Sequence, residues 1–179
     1  MNELSDRKKR LNEKLNIAQQ KIVRTDYIKK LPIDLNNQIS DMSFITSPEK
    51  EMVLKKLSNY SKLFNLNKED NVKLTLDGYF YKEYSWTNQV IQEVSKLDHR
   101  HDTEEAYYLP FSENSPIYIV KFGWAKENFS RLWDTSSNYD VCIVSLDFSA
   151  AIITSHYGGY LCDDPNPDEV VYEIESWGY

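Results

Sequence analysis

"YDVCIVSLDFSAAIITSHYGGYLC", residues 139–162, holds two apolar runs rich in Val and Ile, separated by Asp147, Phe148 and Ser149. Each run has strand length and is bounded by turn-forming residues. The stretch therefore predicts a meander: strand 140–146, a turn at 147–149, strand 150–156, a Gly158-Gly159 turn and a short strand 160–162. Strands joined by so few residues can only lie antiparallel. An antiparallel sheet follows from this stretch alone.

Working outward, the same signal recurs upstream. "PIYIVKFGW" (116–124) predicts another strand, and "VKLTL" (72–76) alternates Val72, Leu74 and Leu76 against Lys73 and Thr75. Asp77-Gly78 follows, then "YFYKEY", the pattern of a hairpin whose two turn residues both take positive φ. Downstream, "NPDEVVYEIESW" (166–177) supports two readings. Val170, Tyr172 and Ile174 alternate as in a strand, whereas Asn166 as cap, Pro167 at the first position and Asp168-Glu169 after it favour a helix. The helix is the preferred expectation.

Helices precede the sheet. Leu4, Leu11, Leu15, Ala18, Ile22 and Ile28 recur at helical spacing over about residues 3–30, and Pro32 supplies a stop. Residues 31–46 read as a connection. Ser47 as cap, Pro48 and the acids Glu49 and Glu51 open a second helix, with Met52, Val53, Leu57, Tyr60, Leu63 and Phe64 on its buried face to about Asn65. Ser85 caps a third helix to about Leu97, with Trp86, Val90, Ile91, Val94 and Leu97 inward, and "KENFSRLW" suits a short helix or a loop. The stretch after Leu97, including "TEEAYY", reads as a polar loop. The expected class is α+β: N-terminal helices, then an antiparallel sheet of hairpin plus meander with one or two packed helices. The expected organisation is an N-terminal helix and connector over 1–46 and one α+β domain over 47–179.

Charge is unevenly spread. The net charge of −7 combines a basic first part, with 13 Lys/Arg against 8 Asp/Glu in residues 1–65, and a strongly acidic remainder. After Arg131 there is no Lys or Arg, while residues 132–179 carry nine acids. Phosphates would be repelled there, so nucleic acid is not the expected partner of this part. No apolar run approaches the roughly 20 residues of a membrane span, and the N-terminus lacks the apolar core of a signal peptide. With two cysteines there is no disulfide framework, so reduced thiols and a cytoplasmic location are expected. Five glycines leave little for a phosphate loop, and no cofactor is expected.

Several stretches invite a chemical reading. "LDHRHD" (97–102) sets His99 and His101 two apart, a spacing that serves a metal on a strand but not on a helix-end loop. The bland reading is an exposed loop whose cations complement the end of the preceding helix. Cys142 sits in a predicted central strand and reads as core. Cys162 precedes Asp163 and Asp164, which disfavour a thiolate, so a Cys162–His156 nucleophile is disfavoured too. "DDPNPDE" lacks the ligand spacing and glycine of a calcium loop. The RKKR run at Arg7–Arg10 reads as a solvated helix face.

Without a catalytic constellation, the expected function is binding. Acids steer a partner and aromatics anchor it, which nominates Asp163, Asp164, Asp168, Glu173, Glu175, Tyr157, Tyr160 and Trp177 for a basic protein. In general character, a small acidic α+β chain with Tyr and Trp among its acids resembles the immunity proteins of bacterial toxin systems. That resemblance implies inhibition of a basic toxin enzyme. Two alternatives from other classes are a metal-dependent hydrolase using His99 and His101, and an oligomeric phage or assembly protein joined through its N-terminal helix.

Overall fold

The computed structural model describes residues 3–64, 76–110, 115–136, 140–158 and 170–179. Their helices are α1 (Glu3–Lys30), α2 (Ile33–Ser40), α3 (Glu49–Leu57), α4 (Thr87–Lys96), α5 (Phe122–Glu127) and α6 (Phe129–Thr135). Their strands are β1 (Phe44–Ile45), β2 (Phe80–Tyr84), β3 (Glu105–Pro110), β4 (Ile117–Lys121), β5 (Val141–Ser145), β6 (Ala151–Gly158) and β7 (Val170–Trp177). These strands form one sheet in the order β1-β4-β3-β5-β6-β7-β2, with every neighbouring pair antiparallel. The fold is α+β.

Side chains alternate across the sheet, so its two faces carry separate cores. On the first face Tyr108, Tyr118, Ile143, Ile152 and Ile174 pack under α2, α4, α5, α6 and the last turns of α1. On the second, Leu109, Cys142, Val144, Ile153 and Trp177 pack under Val53 and Leu57 of α3. Segment 1–46 contributes to both the first core and the sheet, through Tyr27, Ile28, Leu35 and Ile39 and through pairing of β1 with β4. Gln20 fastens α1 to the start of α3: its side-chain amide donates to the Ser47 hydroxyl and accepts from the Ser47 backbone N–H.

The meander holds in its described part. β5 and β6 pair through a turn at 146–149, where Phe148 has positive φ (71°) and Asp147 accepts from Ser149 and Ser145. The Gly158-Gly159 turn and the strand at 160–162 lie at or beyond the edge of the described residues.

Four expectations are corrected. Residues 170–177 form a strand and not a helix, because β7 pairs along its full length with β6 and over five residues with β2. Those pairings outweigh the local helix-start signals, which concern only the entry to the segment. "EAYYLP" is β3, flanked by β4 and β5, and not a loop; a strand covered on both faces need not alternate in polarity. The connection 31–46 contains α2 and β1. Finally, α3 stops at Leu57 and leaves Met52 exposed, while Trp86 is exposed at the N-cap of α4.

The Asp77-Gly78 turn also differs from expectation. Only Gly78 has positive φ (62°), and the Tyr79 N–H reaches back to the Leu76 carbonyl at 3.4 Å. A Cβ on Gly78 would lie 2.1 Å from the Tyr179 carbonyl oxygen, so the glycine is required by close approach as well as by its dihedral. β2 pairs with β7; the first arm of the expected hairpin, residues 72–75, lies outside the described residues.

Candidate protein-binding surface

Two carboxylates of β7, Glu173 and Glu175, point to the same face of the sheet and have different fates. Glu175 is fully buried. One of its oxygens accepts from the Lys62 N–H (2.8 Å) and the Tyr79 hydroxyl (3.0 Å); the other accepts from the Ser61 hydroxyl (2.5 Å) and the Leu63 N–H (3.2 Å). The carboxylate thus ties the chain beyond α3 onto the sheet. Trp177, also fully buried, donates its indole N–H to the Phe148 carbonyl at 3.0 Å. Both are interior groups, so neither serves as the surface contact expected of it: the chain following α3 covers that end of the face.

The cover ends one pleat further on. Glu173 stands directly opposite Glu83 of β2, and this pair is open to solvent, with Glu83 exposed and Glu173 half-buried. Like charges in register across two strands repel. The Tyr81 hydroxyl lies within hydrogen-bonding distance of both carboxylates, and its single proton serves one at a time. The Tyr157 hydroxyl donates to the second Glu83 oxygen at 3.3 Å. Burial and the hydrogen bonds to Glu173 and Glu83 push the Tyr81 phenol well up; Tyr157 is raised by desolvation and by Glu83. Both phenols therefore act as donors at neutral pH.

Among the described residues no cation pairs with either carboxylate; Lys62 sits over the Tyr81 ring, 3.8 Å from its centroid. Nearby, Asp140 contacts His156 at 3.3 Å, and burial pushes its carboxyl up, opposed by His156 and reinforced by Glu173. The result is an acceptor-rich patch at the β2–β7–β6 end of the sheet, flanked by two tyrosine rings, with Tyr157 44% exposed. Chemically it suits an incoming ammonium or guanidinium, which would supply the donors the carboxylates lack.

Of the residues nominated from sequence, the structure brings together Glu173 and Tyr157. It places Glu175 and Trp177 inside, and Asp163, Asp164, Asp168 and Tyr160 lie outside the described residues. Tyr81 and Glu83 were missed. Their signal was Tyr-x-Glu in "YKEY" (81–83) and Glu-x-Glu in "YEIE" (173–175), two period-two spacings that paired strands bring onto one face.

The His99–His101 stretch is engaged in holding the fold. His99 contacts Asp102, whose other oxygen is 2.6 Å from Lys126; burial raises the Asp102 carboxyl, but these two partners hold it below its ordinary range. His101 donates from Nε2 to the Gly178 carbonyl at 2.9 Å and has Nδ1 3.1 Å from Glu104. An Nε2 that carries a proton has no lone pair for a metal. Among the described residues no three His, Cys, Asp or Glu side chains converge in a way that could hold a metal ion. Cys142 is buried, which pushes its thiol well up. No helix among the described residues is long and apolar enough to cross a membrane.

Comparison with known proteins gives one family. The model described as YokC prophage protein matches residues 1–176. The SPbeta prophage-derived uncharacterized protein YokC of Bacillus subtilis (strain 168) is 37% identical over 175 residues, covering 98% of this chain and 99% of its own. No solved structure matches.

Proposed function

This chain belongs to the YokC prophage protein family, and from that premise we propose that it is a non-catalytic binding module whose acidic, tyrosine-flanked sheet face takes a basic protein partner. The partner class is a toxin enzyme with a cationic surface, and the action is inhibition by occlusion, in the manner of an immunity protein or antitoxin. In this reading the protein works in the cytoplasm, without a cofactor.

The observation that carries the reading is the Glu83–Glu173 pair. Two carboxylates set face to face cost stability in the isolated protein, and a partner cation entering between them removes that cost on binding. Tyr81 and Tyr157 add rigid rings with polar tips, the side chains most often found as anchors at interfaces. The general excess of acid after Arg131 adds long-range attraction for a cationic partner and raises its association rate.

The test is association kinetics with a basic protein co-purified from a host carrying the gene, or with the product of an adjacent toxin-like reading frame. The association rate should fall steeply as salt rises. The double variant Glu83→Gln/Glu173→Gln should slow association by about tenfold while leaving the melting temperature intact or higher. A salt-independent rate, or a double variant that associates as fast as the parent, overturns the proposal.

A further inference from the structure

Helix α1 carries two stripes, and the fold uses only one of them. Ile17, Gln20, Val23, Arg24, Tyr27, Ile28 and Leu31 follow a spacing of three and four residues and are the half-buried and buried positions on the side that packs on the body. On the far side, Leu11, Leu15 and Ile22 are 57%, 53% and 62% exposed, with Ala18 exposed between them. Their spacings of four, three and four residues are those of a coiled-coil seam. A helix advances about 100° per residue, which puts this seam roughly 160° from the stripe that packs on the body. A neighbour could approach the seam without meeting the sheet.

We propose that this seam pairs with the same seam of a second copy, in parallel and in register, to form a two-stranded coiled coil over residues 8–26. The flanking charges select that occupant. With Lys8, Leu15 and Ile22 at one core position and Leu11 and Ala18 at the other, the residues along one flank are Arg7, Lys14 and Lys21, all exposed. Those along the other flank are Asn12, Gln19 and Asp26. In a parallel dimer each residue of the first flank meets the residue five further along in the partner helix. Arg7 then faces Asn12, Lys14 faces Gln19 and Lys21 faces Asp26: two pairs of a cation with an uncharged amide and one ion pair, each occurring twice by symmetry. In an antiparallel dimer the first flank would face itself, and Arg7, Lys14 and Lys21 would repel along the whole contact. Lys8 at a core position is tolerated by its long aliphatic stem and penalises the larger bundles that would bury it fully. The inference does not depend on the acidic face, since the variants below leave Glu83 and Glu173 untouched.

Light scattering on the full chain at micromolar concentration should give twice the chain mass. Leu15→Glu should give a folded monomer, because this side chain is already in solvent within one copy; its melting should not depend on protein concentration, whereas that of the parent should rise with it. A charge reversal at Lys21 to Glu should raise the dimer dissociation constant about threefold to tenfold, and adding Asp26→Lys should restore it. For direction, Ile22→Cys on a Cys162→Ser background should oxidise to a self-linked dimer. A mixture of Lys8→Cys and Ile22→Cys chains should form no link between the two different variants. The proposal is overturned by a monomeric parent, by a dimer that survives Leu15→Glu, or by a Lys8–Ile22 cross-link. It is equally overturned if the parent is monomeric and binds phosphatidylglycerol vesicles through this helix.

Discussion

Replacing Glu175 by glutamine changes one oxygen to an NH2 group at the centre of four donors. The carboxylate accepts from two backbone N–H groups and two hydroxyls, one of each per oxygen. A hydroxyl can turn and accept from the new NH2, but a backbone N–H cannot. The least costly orientation therefore puts NH2 on the Ser61–Leu63 side, where the N–H contact is the longer one at 3.2 Å. Ser61 reverses and the Leu63 N–H is left facing a donor. An unpaired buried donor costs about 1–3 kcal/mol, and the two bonds kept on the other oxygen lose their charge assistance. Some of this is offset because a neutral amide is cheaper to bury than a carboxylate. The expected loss is about 3 kcal/mol, or roughly 6–12 °C in melting temperature for a chain of this size. Thermal unfolding followed by circular dichroism, with urea unfolding as a second measure, reads the effect. A Glu175→Gln protein that melts with the parent would refute the claim that this acid is an internal tie and would return it to the surface.

Glu173→Gln, two residues away on the same face, has the opposite sign: relieving the contact with Glu83 should stabilise by about 0.2–1 kcal/mol in the same melting experiment. Asp147 is held down to about 2 from an ordinary 3.8, first by the Ser149 N–H and then by the Ser149 and Ser145 hydroxyls. A carboxyl whose folded value is depressed stabilises above its unfolded value and loses that contribution as pH falls. The window is thus between about pH 4 and 2. The shift corresponds to no more than ~2.4 kcal/mol, and solvent screening of this exposed group reduces it to about 1 kcal/mol. Asp147→Asn should flatten the stability profile in that window as measured by urea midpoints. Tyr108→Phe strips the buried Tyr27 hydroxyl of its partner and should cost about 1–3 kcal/mol in urea unfolding. Tyr118→Phe removes a buried hydroxyl without a partner among the described residues and should cost nothing or stabilise.

What could be read from sequence was what neighbours in sequence decide. The β5–β6 pair was legible because both strands and their turn lie within eighteen residues of chain, and α1 because its stripes repeat over many turns. β7 was misread because its cap signals are local while its partners lie far along the chain. β3 was hidden because Ala106, Tyr107, Tyr108 and Leu109 are covered from both faces, which erases alternation. The site shows the same limit at finer scale. Glu173 and Glu175 are equivalent by alternation, and only the distant chain at 61–63 distinguishes the exposed acid from the buried one.

The strand order has a consequence for synthesis. β2 finds its only described partner strand in β7, with Tyr84 opposite Tyr172 and Phe80 opposite Ser176. Roughly 90 residues must leave the ribosome between them, which at 5–20 residues per second takes about 5–20 s. Throughout that interval "FYKEY" is an aromatic strand with unmet backbone groups, the kind of segment that pairs with any other strand nearby. Lys82 and Glu83 then act as guards on the nascent chain, because a foreign strand laid against them must desolvate two charges.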